Sequence, residues 1–186
     1  MRVWTKMLLT TALVAPMAMT VVGTGGAANA AAAGTSCKTA KGTATFKPAL
    51  PAVGSTQKVK PTITVKNAKE SGCKGGGVKS GTFSSTVKFH TATNCQILLE
   101  GNPSPNPPSG TITTKWNTGA TSTANVTLNT VSGNATETHV SGKVTKGLFK
   151  GLTLDSTLQF TPTSGECTSK PLSKVTFTNV GNTTIS

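Results

Sequence analysis

The sequence predicts an all-β fold: a two-sheet antiparallel β-sandwich, immunoglobulin-like or jelly-roll-like, with about nine strands and two disulfides. Apolar residues recur at every second position of many short runs, which is the period of a strand with one buried face. Glycine, proline and asparagine separate these runs and supply turns. Four cysteines in a chain that begins like an exported protein favour a disulfide-stapled domain.

The individual strands follow from this alternation. Pro61 interrupts the second run, and because proline has no amide donor we expect that strand to lie at an edge or to be bulged. The runs contain, in chain order, an edge-like pair Ala44 and Phe46; Val59, Ile63 and Val65; Phe83, Val87 and Phe89; Ile97, Leu98 and Leu99; Ile112, Thr114 and Trp116; Ala124, Val126 and Leu128; Val140, Gly142 and Val144; Leu152, Leu154, Leu158 and Phe160; and Val175 and Phe177.

The amino terminus has the pattern of a signal peptide. Arg2 and Lys6 precede an uncharged apolar stretch over residues 7–22. The A-x-A site at residues 28–30 predicts cleavage after Ala30, with cleavage after Ala33 as the second choice. The protein is therefore expected to be secreted or associated with the cell envelope.

The domain organisation predicted is a signal peptide over residues 1–30 and one β-sandwich domain over residues 31–186. A retained membrane anchor is the alternative for residues 7–22, but Pro16 interrupts that stretch and it is short for a spanning helix. No other apolar run approaches membrane length. We expect a monomer without a transmembrane anchor after cleavage.

All the positively charged side chains of the predicted mature chain are lysines. After residue 30 there are sixteen lysines and no arginine, against Glu70, Glu100, Glu137, Asp155 and Glu166, which leaves a net charge of +11. The lack of arginine argues against sequence-specific nucleic-acid binding, which favours the bidentate guanidinium group. A lysine-rich exterior attracts polyanions such as anionic cell-wall polymers, or simply keeps the protein soluble. Lysines 58, 60, 66, 88, 115 and 143 fall at outward strand positions.

The four cysteines predict two disulfides, for which three pairings are possible. If nine strands run up and down in order, Cys37, Cys73 and Cys167 lie at one end of the fold and Cys95 at the other. No pairing satisfies this arrangement fully. Glycines at 75–77 make the segment after Cys73 flexible, so the expected pairs are Cys73 with Cys95 and Cys37 with Cys167.

No constellation of residues has the spacing that catalysis, a cofactor or a metal requires, so we expect a non-enzymatic protein with no cofactor. The only imidazoles are His90 and His139, and there is no G-x-S-x-G motif or C-x-x-C pair. One alternative is a hydrolase that uses two of the scattered carboxylates, and another is a glycan-binding protein with Trp116 as a platform for a sugar ring. Those carboxylates are Glu70, Glu100, Glu137 and Glu166, and Asp155 is expected to pair with a lysine.

Trp116 is the candidate ligand contact, at the end of a predicted strand, although a core tryptophan with a satisfied indole N–H is the favoured interpretation. Two functions follow from these observations. The first is adhesion to anionic wall polymers or surfaces. The alternative is a carrier of a small apolar ligand between the sheets, in a pocket near Trp116 or Phe149.

Four segments carry a resemblance to known proteins: Ser71-Gly72-Cys73, Asn94-Cys95-Gln96-Ile97-Leu98, residues 115–122 (KWNTGATS) and residues 141–151 (SGKVTKGLFKG). In these segments the chain resembles a broad group of small exported β-sandwich proteins from high-GC Gram-positive bacteria. The resemblance implies export and a sandwich fold and assigns no site residue. More distantly, the chain is similar to exported immunoglobulin-like apoproteins that carry apolar small molecules, without a match to their binding clefts.

Overall fold

The computed structural model describes residues 33–101, 104–132, 134–165 and 167–186. The predicted signal peptide over residues 1–30 lies outside the described residues. Within these described residues, the fold consists of eight strands and one short helix. They are β1 (Thr35–Leu50), β2 (Thr62–Lys74), β3 (Ser80–Lys88), α1 (Cys95–Leu99), β4 (Ser109–Trp116), β5 (Thr121–Val131), β6 (Asn134–Gly147), β7 (Thr153–Ser164) and β8 (Leu172–Ile185).

The eight strands form one closed antiparallel barrel. The all-β prediction is confirmed, whereas the two-sheet sandwich and the count of about nine strands are wrong. Each strand pairs with its neighbours in sequence, and β8 pairs back onto β1. With an even number of strands running up and down, the last strand is antiparallel to the first and the two can pair. The sheet therefore has no edge strand. Pro61, which was expected to mark an edge or bulged strand, lies just before β2, where its missing amide donor removes no strand pairing.

The strands of the barrel are strongly staggered. Residues directly opposite each other on neighbouring strands, followed once around the barrel from Phe46 on β1, lead back to β1 at Thr35. Such a displacement accompanies the tilt of strands in a closed barrel. An eight-stranded barrel has an interior that side chains fill or that holds one small ligand.

A bulge in β2 changes which residues face the interior. The pairing of β2 with β3 shifts between Val65 and Ala68, and Asn67 has a φ of 52°. Ile63 and Val65 are buried before the shift, and Ala68 and Glu70 after it. Because one extra residue reverses the alternation of faces, Glu70 faces the interior of the barrel.

Residues 97–99 form part of helix α1, so the prediction of a strand there is wrong. Asn94 has extended backbone angles, and its side-chain oxygen accepts a hydrogen bond from the Ile97 amide at 3.1 Å. This contact satisfies one of the free amides of the first helical turn. A run of three apolar residues carries no period that distinguishes a helix from a strand, so the cap decides the conformation.

Two disulfides are confirmed, but their pairing differs from the prediction. The bonds join Cys37 to Cys73 and Cys95 to Cys167, so the expected Cys73–Cys95 and Cys37–Cys167 pairs are wrong. Treating residues 97–99 as a strand had reversed the direction of every later strand and placed Cys167 at the wrong end. The two bonds indicate an oxidising compartment.

The two ends of the barrel differ. We call the end that contains the β2–β3, β4–β5 and β6–β7 connections the plugged end, and the opposite end the distal end. At the plugged end, Trp116 packs edge-on against Phe149 with ring centroids 5.5 Å apart. Val78 and the Cys37–Cys73 bond are also buried there. In the described part of the chain, no helix has the length and apolar character needed to cross a membrane.

Gly142 allows β5 and β6 to approach closely. A methyl group at this position would overlap the backbone carbonyl of Asn125 on β5. We expect Gly142→Ala to lower the free energy of unfolding by about 2 kcal/mol, because the two strands must move apart. Urea unfolding followed by circular dichroism measures the change. Lys143→Ala, at the next and exposed position, should stay within about 0.5 kcal/mol of the parent; equal stabilities of the two variants would contradict the packing argument.

Candidate functional site

A cavity of about 430 Å³ lies at the distal end of the barrel. Pockets that hold small molecules have volumes of roughly 300–1,000 Å³. The cavity wall combines inward strand positions, α1 and the connections around the distal end. Its hydrophobic residues are Phe46, Ile63, Phe89, Ala92, Ile97, Leu98, Leu99, Pro105, Pro108, Leu128, Ala135, Phe160, Pro162, Cys167, Leu172 and Val175.

The deep part of the cavity is hydrophobic because of strand alternation. Phe46 and Ile63 are register partners on β1 and β2, and both are buried. Phe160 lines the cavity from β7 and packs edge-on against Phe177, with ring centroids 6.0 Å apart. Phe177 in turn contacts Phe83 at a centroid distance of 6.0 Å. Phe177 and Phe83 do not line the cavity, so this series of ring contacts leads from the cavity wall into the packed core.

Helix α1 forms one side of the cavity and is anchored at several points. Its first residue, Cys95, is bonded to Cys167 in the β7–β8 connection. The Cys95 amide donates to the Pro51 carbonyl at 2.9 Å, and the Asn94 side-chain amide donates to the Ser55 carbonyl at 3.1 Å. The helix is therefore held against the connections on both sides of it.

The exposed residues that line the cavity are both polar and apolar. The polar ones include Thr91, Asn106 and Thr136, and one lysine, Lys58; the apolar ones are Leu99, Pro105 and Pro162. Among the described residues that line the cavity there is no histidine, aspartate or glutamate. The described residues also contain no cluster of three or more groups suited to holding a metal ion. The arrangement can enclose an apolar body and leave a polar or charged group at the rim.

Trp116, the predicted ligand contact, does not line this cavity. It lies at the plugged end with an exposed fraction of 3%, and its indole N–H donates to the Ser122 hydroxyl at 2.8 Å. The geometry is that of a core tryptophan with its donor satisfied. Phe149 fills the same end, so the apolar pocket expected near these two rings lies instead at the opposite end of the barrel.

Neither histidine is a lining residue, although His90 lies between Phe89 and Thr91, which line the cavity. His90 contacts the Ser109 hydroxyl at 2.7 Å. His139 contacts the Asp155 carboxylate at 2.7 Å, so Asp155 faces a histidine on the adjacent strand and not the expected lysine. More than a third of each side chain is exposed to solvent. The contact therefore contributes little to stability.

The candidate carboxylates lie in two regions. Glu70 is buried inside the barrel, whereas Glu100 at the end of α1 and Glu137 near the start of β6 lie at the distal end, where α1 contacts β6. Glu166 lies outside the described residues. Burial away from water raises the pKa of Glu70 to about 7. The structure brings Glu70 and Glu100 to different parts of the fold, so they do not form a pair.

All sixteen lysines from Lys38 to Lys174 are exposed, including the six predicted at outward positions. On the outer surface Lys41 lies directly opposite Lys69. Lys69 lies opposite Thr82, which in turn lies opposite Lys115 on β4. Three cations therefore occupy one row across four strands. We call Lys41, Lys69 and Lys115 the lysine row.

Sequence reasoning missed the contribution of α1 and Lys58 to the cavity. Leu128 and Phe160 were predicted to face inward, but the alternation does not show that the space between inward side chains is unfilled. The Asn94 cap was the signal that residues 95–99 form a helix. No family model, no curated protein and no solved structure matches this chain.

Proposed function

We propose that the protein is an exported, non-catalytic carrier that holds one small apolar molecule in the distal cavity. Residues 1–30 would direct export and then be removed by cleavage after Ala30. The observation that carries the proposal is the apolar cavity of about 430 Å³, which is large enough for a small molecule and lined mainly by hydrophobic side chains. Its described lining also contains no histidine or carboxylate to act as a base.

The lining supports a binding role in a second way. A cavity of this size among hydrophobic side chains leaves apolar surface without packing partners, and filling it with an apolar ligand recovers dispersion contacts. The anchored helix makes one wall of the site fixed before binding. A wall that is ordered in advance lowers the entropic cost of binding a ligand.

A neutral fluorescent probe tests this proposal. We expect N-phenyl-1-naphthylamine to bind with one site per chain and increased fluorescence. Leu128→Trp places a larger side chain in the cavity wall and should weaken probe binding by about tenfold or more. The indole would occupy part of the cavity, and it would have to move before the probe could bind. Asn129→Trp is the matched control, because Asn129 is exposed on the same strand. No saturable binding, or equal binding by the two variants, would reject the proposal.

Adhesion to an anionic wall polymer is the second candidate, favoured by the lysine row. Like charges directly opposite each other on neighbouring strands are destabilising. Bound polyanion relieves that repulsion and releases counterions, so the row is suited to a phosphate-bearing polymer and its affinity should fall with salt.

Retention on purified cell wall tests this second function. The triple variant Lys41→Gln, Lys69→Gln and Lys115→Gln should elute at lower salt than a triple variant of equal charge, Lys88→Gln, Lys143→Gln and Lys174→Gln. Elution of both variants at the same salt concentration would show that the lysine row binds the polymer no better than other lysines do. Negligible retention of the parent protein at low and high salt would remove the function.

A further inference from the structure

We infer that the ligand of the distal cavity is a single-chain anionic amphiphile, with its chain inside the barrel and its head group at Lys58. This inference rests on the proposed carrier function and adds the chemistry of the ligand. The cavity has a hydrophobic interior, and its exposed lining carries one cation, Lys58, among polar and apolar side chains. A hydrophobic interior with a cation at its opening fits a molecule with an apolar body and one anionic end.

Lys58 is the one charged side chain among the described residues that line the cavity. It is exposed, so its hydrocarbon stem can lie along the wall while its ammonium group stays in water at the rim. A cation in this position attracts an anionic head group without the cost of burying either charge.

The backbone around Lys58 is fixed to the segment that precedes α1. The Val59 amide donates to the Thr93 carbonyl at 2.8 Å, and the Thr93 amide donates to the Val59 carbonyl at 2.7 Å. On the other side of Lys58, the Gln57 carbonyl accepts from the Asn94 side-chain amide at 3.5 Å. These bonds hold Lys58 at the rim in a defined place relative to α1.

The described lining has no carboxylate that would compete with the ligand for Lys58. The sixteen exposed lysines of the barrel also favour the approach of an anion from a distance. The long-range attraction by all the lysines and the local contact at Lys58 can be tested separately. Lys60 is exposed two residues away and is not part of the cavity wall. Loss of Lys60 changes the field by the same unit of charge as loss of Lys58.

Displacement of N-phenyl-1-naphthylamine by four competitors tests the inference. The competitors are hexadecanoate, hexadecyl phosphate, hexadecan-1-ol and methyl hexadecanoate. In the parent protein we expect both anions to displace the probe at about fivefold lower concentration than the two neutral compounds, as a solvent-exposed ion pair of up to about 1 kcal/mol would give. Lys58→Gln should remove this preference and leave the neutral competitors unchanged. Lys60→Gln should retain the preference.

The outcomes separate this inference from the carrier function. If the probe binds and all four competitors displace it equally in the parent protein, the carrier function stands and the anionic head group is rejected. An equal loss of preference in the Lys58→Gln and Lys60→Gln variants rejects the local role of Lys58. If the two anions differ, the stronger one identifies the head group as carboxylate or phosphate. A probe that does not bind rejects the carrier function itself.

Discussion

Replacing Cys95 and Cys167 together by alanine should lower the free energy of unfolding by about 4 kcal/mol and weaken probe binding in the distal cavity. The bond closes a separation of 72 residues, and the lost restriction of the unfolded chain accounts for the stability change. Binding weakens for a separate reason. Cys167 lines the cavity and anchors the start of α1, which contributes Ile97, Leu98 and Leu99 to the wall.

The matched control is the double variant of Cys37 and Cys73. Its bond closes 36 residues, so the expected loss of stability is also about 4 kcal/mol. This bond lies at the plugged end and its cysteines do not line the cavity. Urea unfolding and probe titration, both under conditions where each variant is folded, distinguish the two bonds. Equal probe affinities of the two variants would contradict the role assigned to α1 as a cavity wall.

The inward face of the barrel could be predicted largely from the sequence. Period-two alternation depends only on which residues avoid water, and it placed Phe46, Ile63 and Phe160 correctly on the buried side. The same alternation is compatible with a sandwich and a barrel, because each strand has one buried face in both. Closure depends on pairing between β1 and β8, which lie far apart in the chain.

A single short segment decided the topology. Residues 97–99 become helical because Asn94 caps them, and removing one strand from the count makes the total even. The strand directions after it then reverse, and Cys167 moves to the end that holds Cys95. Lys58 could not be predicted as part of the cavity, because its place depends on the long-range bridge between Val59 and Thr93.

The position of Glu70 shows a further limit of alternation. Counting every second residue from Val65 would place Lys69 inside the barrel and Glu70 outside. The bulge at Asn67 reverses this order, so Lys69 is exposed and Glu70 has an exposed fraction of 6%. The residues directly opposite Glu70 are Ala40 and Gly81, which carry no charge.

The stability of the barrel should therefore fall as pH rises. The Oε2 atom of Glu70 is buried without a hydrogen-bond partner, and burial raises the pKa of this carboxyl from 4.5 to about 7. The folded state then binds a proton that the unfolded state has released. Between pH 4.5 and 7 this difference removes about 3 kcal/mol of the free energy of unfolding, and the loss is complete above the folded-state pKa.

Glu70→Gln should abolish this dependence, since the amide has nearly the same shape as the protonated carboxyl and does not ionise. We expect the variant to match the parent near pH 4 and to exceed its stability by about 3 kcal/mol at pH 8. Urea unfolding across this range measures both curves. Glu100→Gln, at an exposed position, should retain the parent's slope. A parent protein that gains stability between pH 4.5 and 7, by an amount that Glu70→Gln removes, would show that Glu70 is ionised and stabilised in the folded barrel. Parallel curves for the parent and Glu70→Gln would show that folding does not shift the pKa of Glu70.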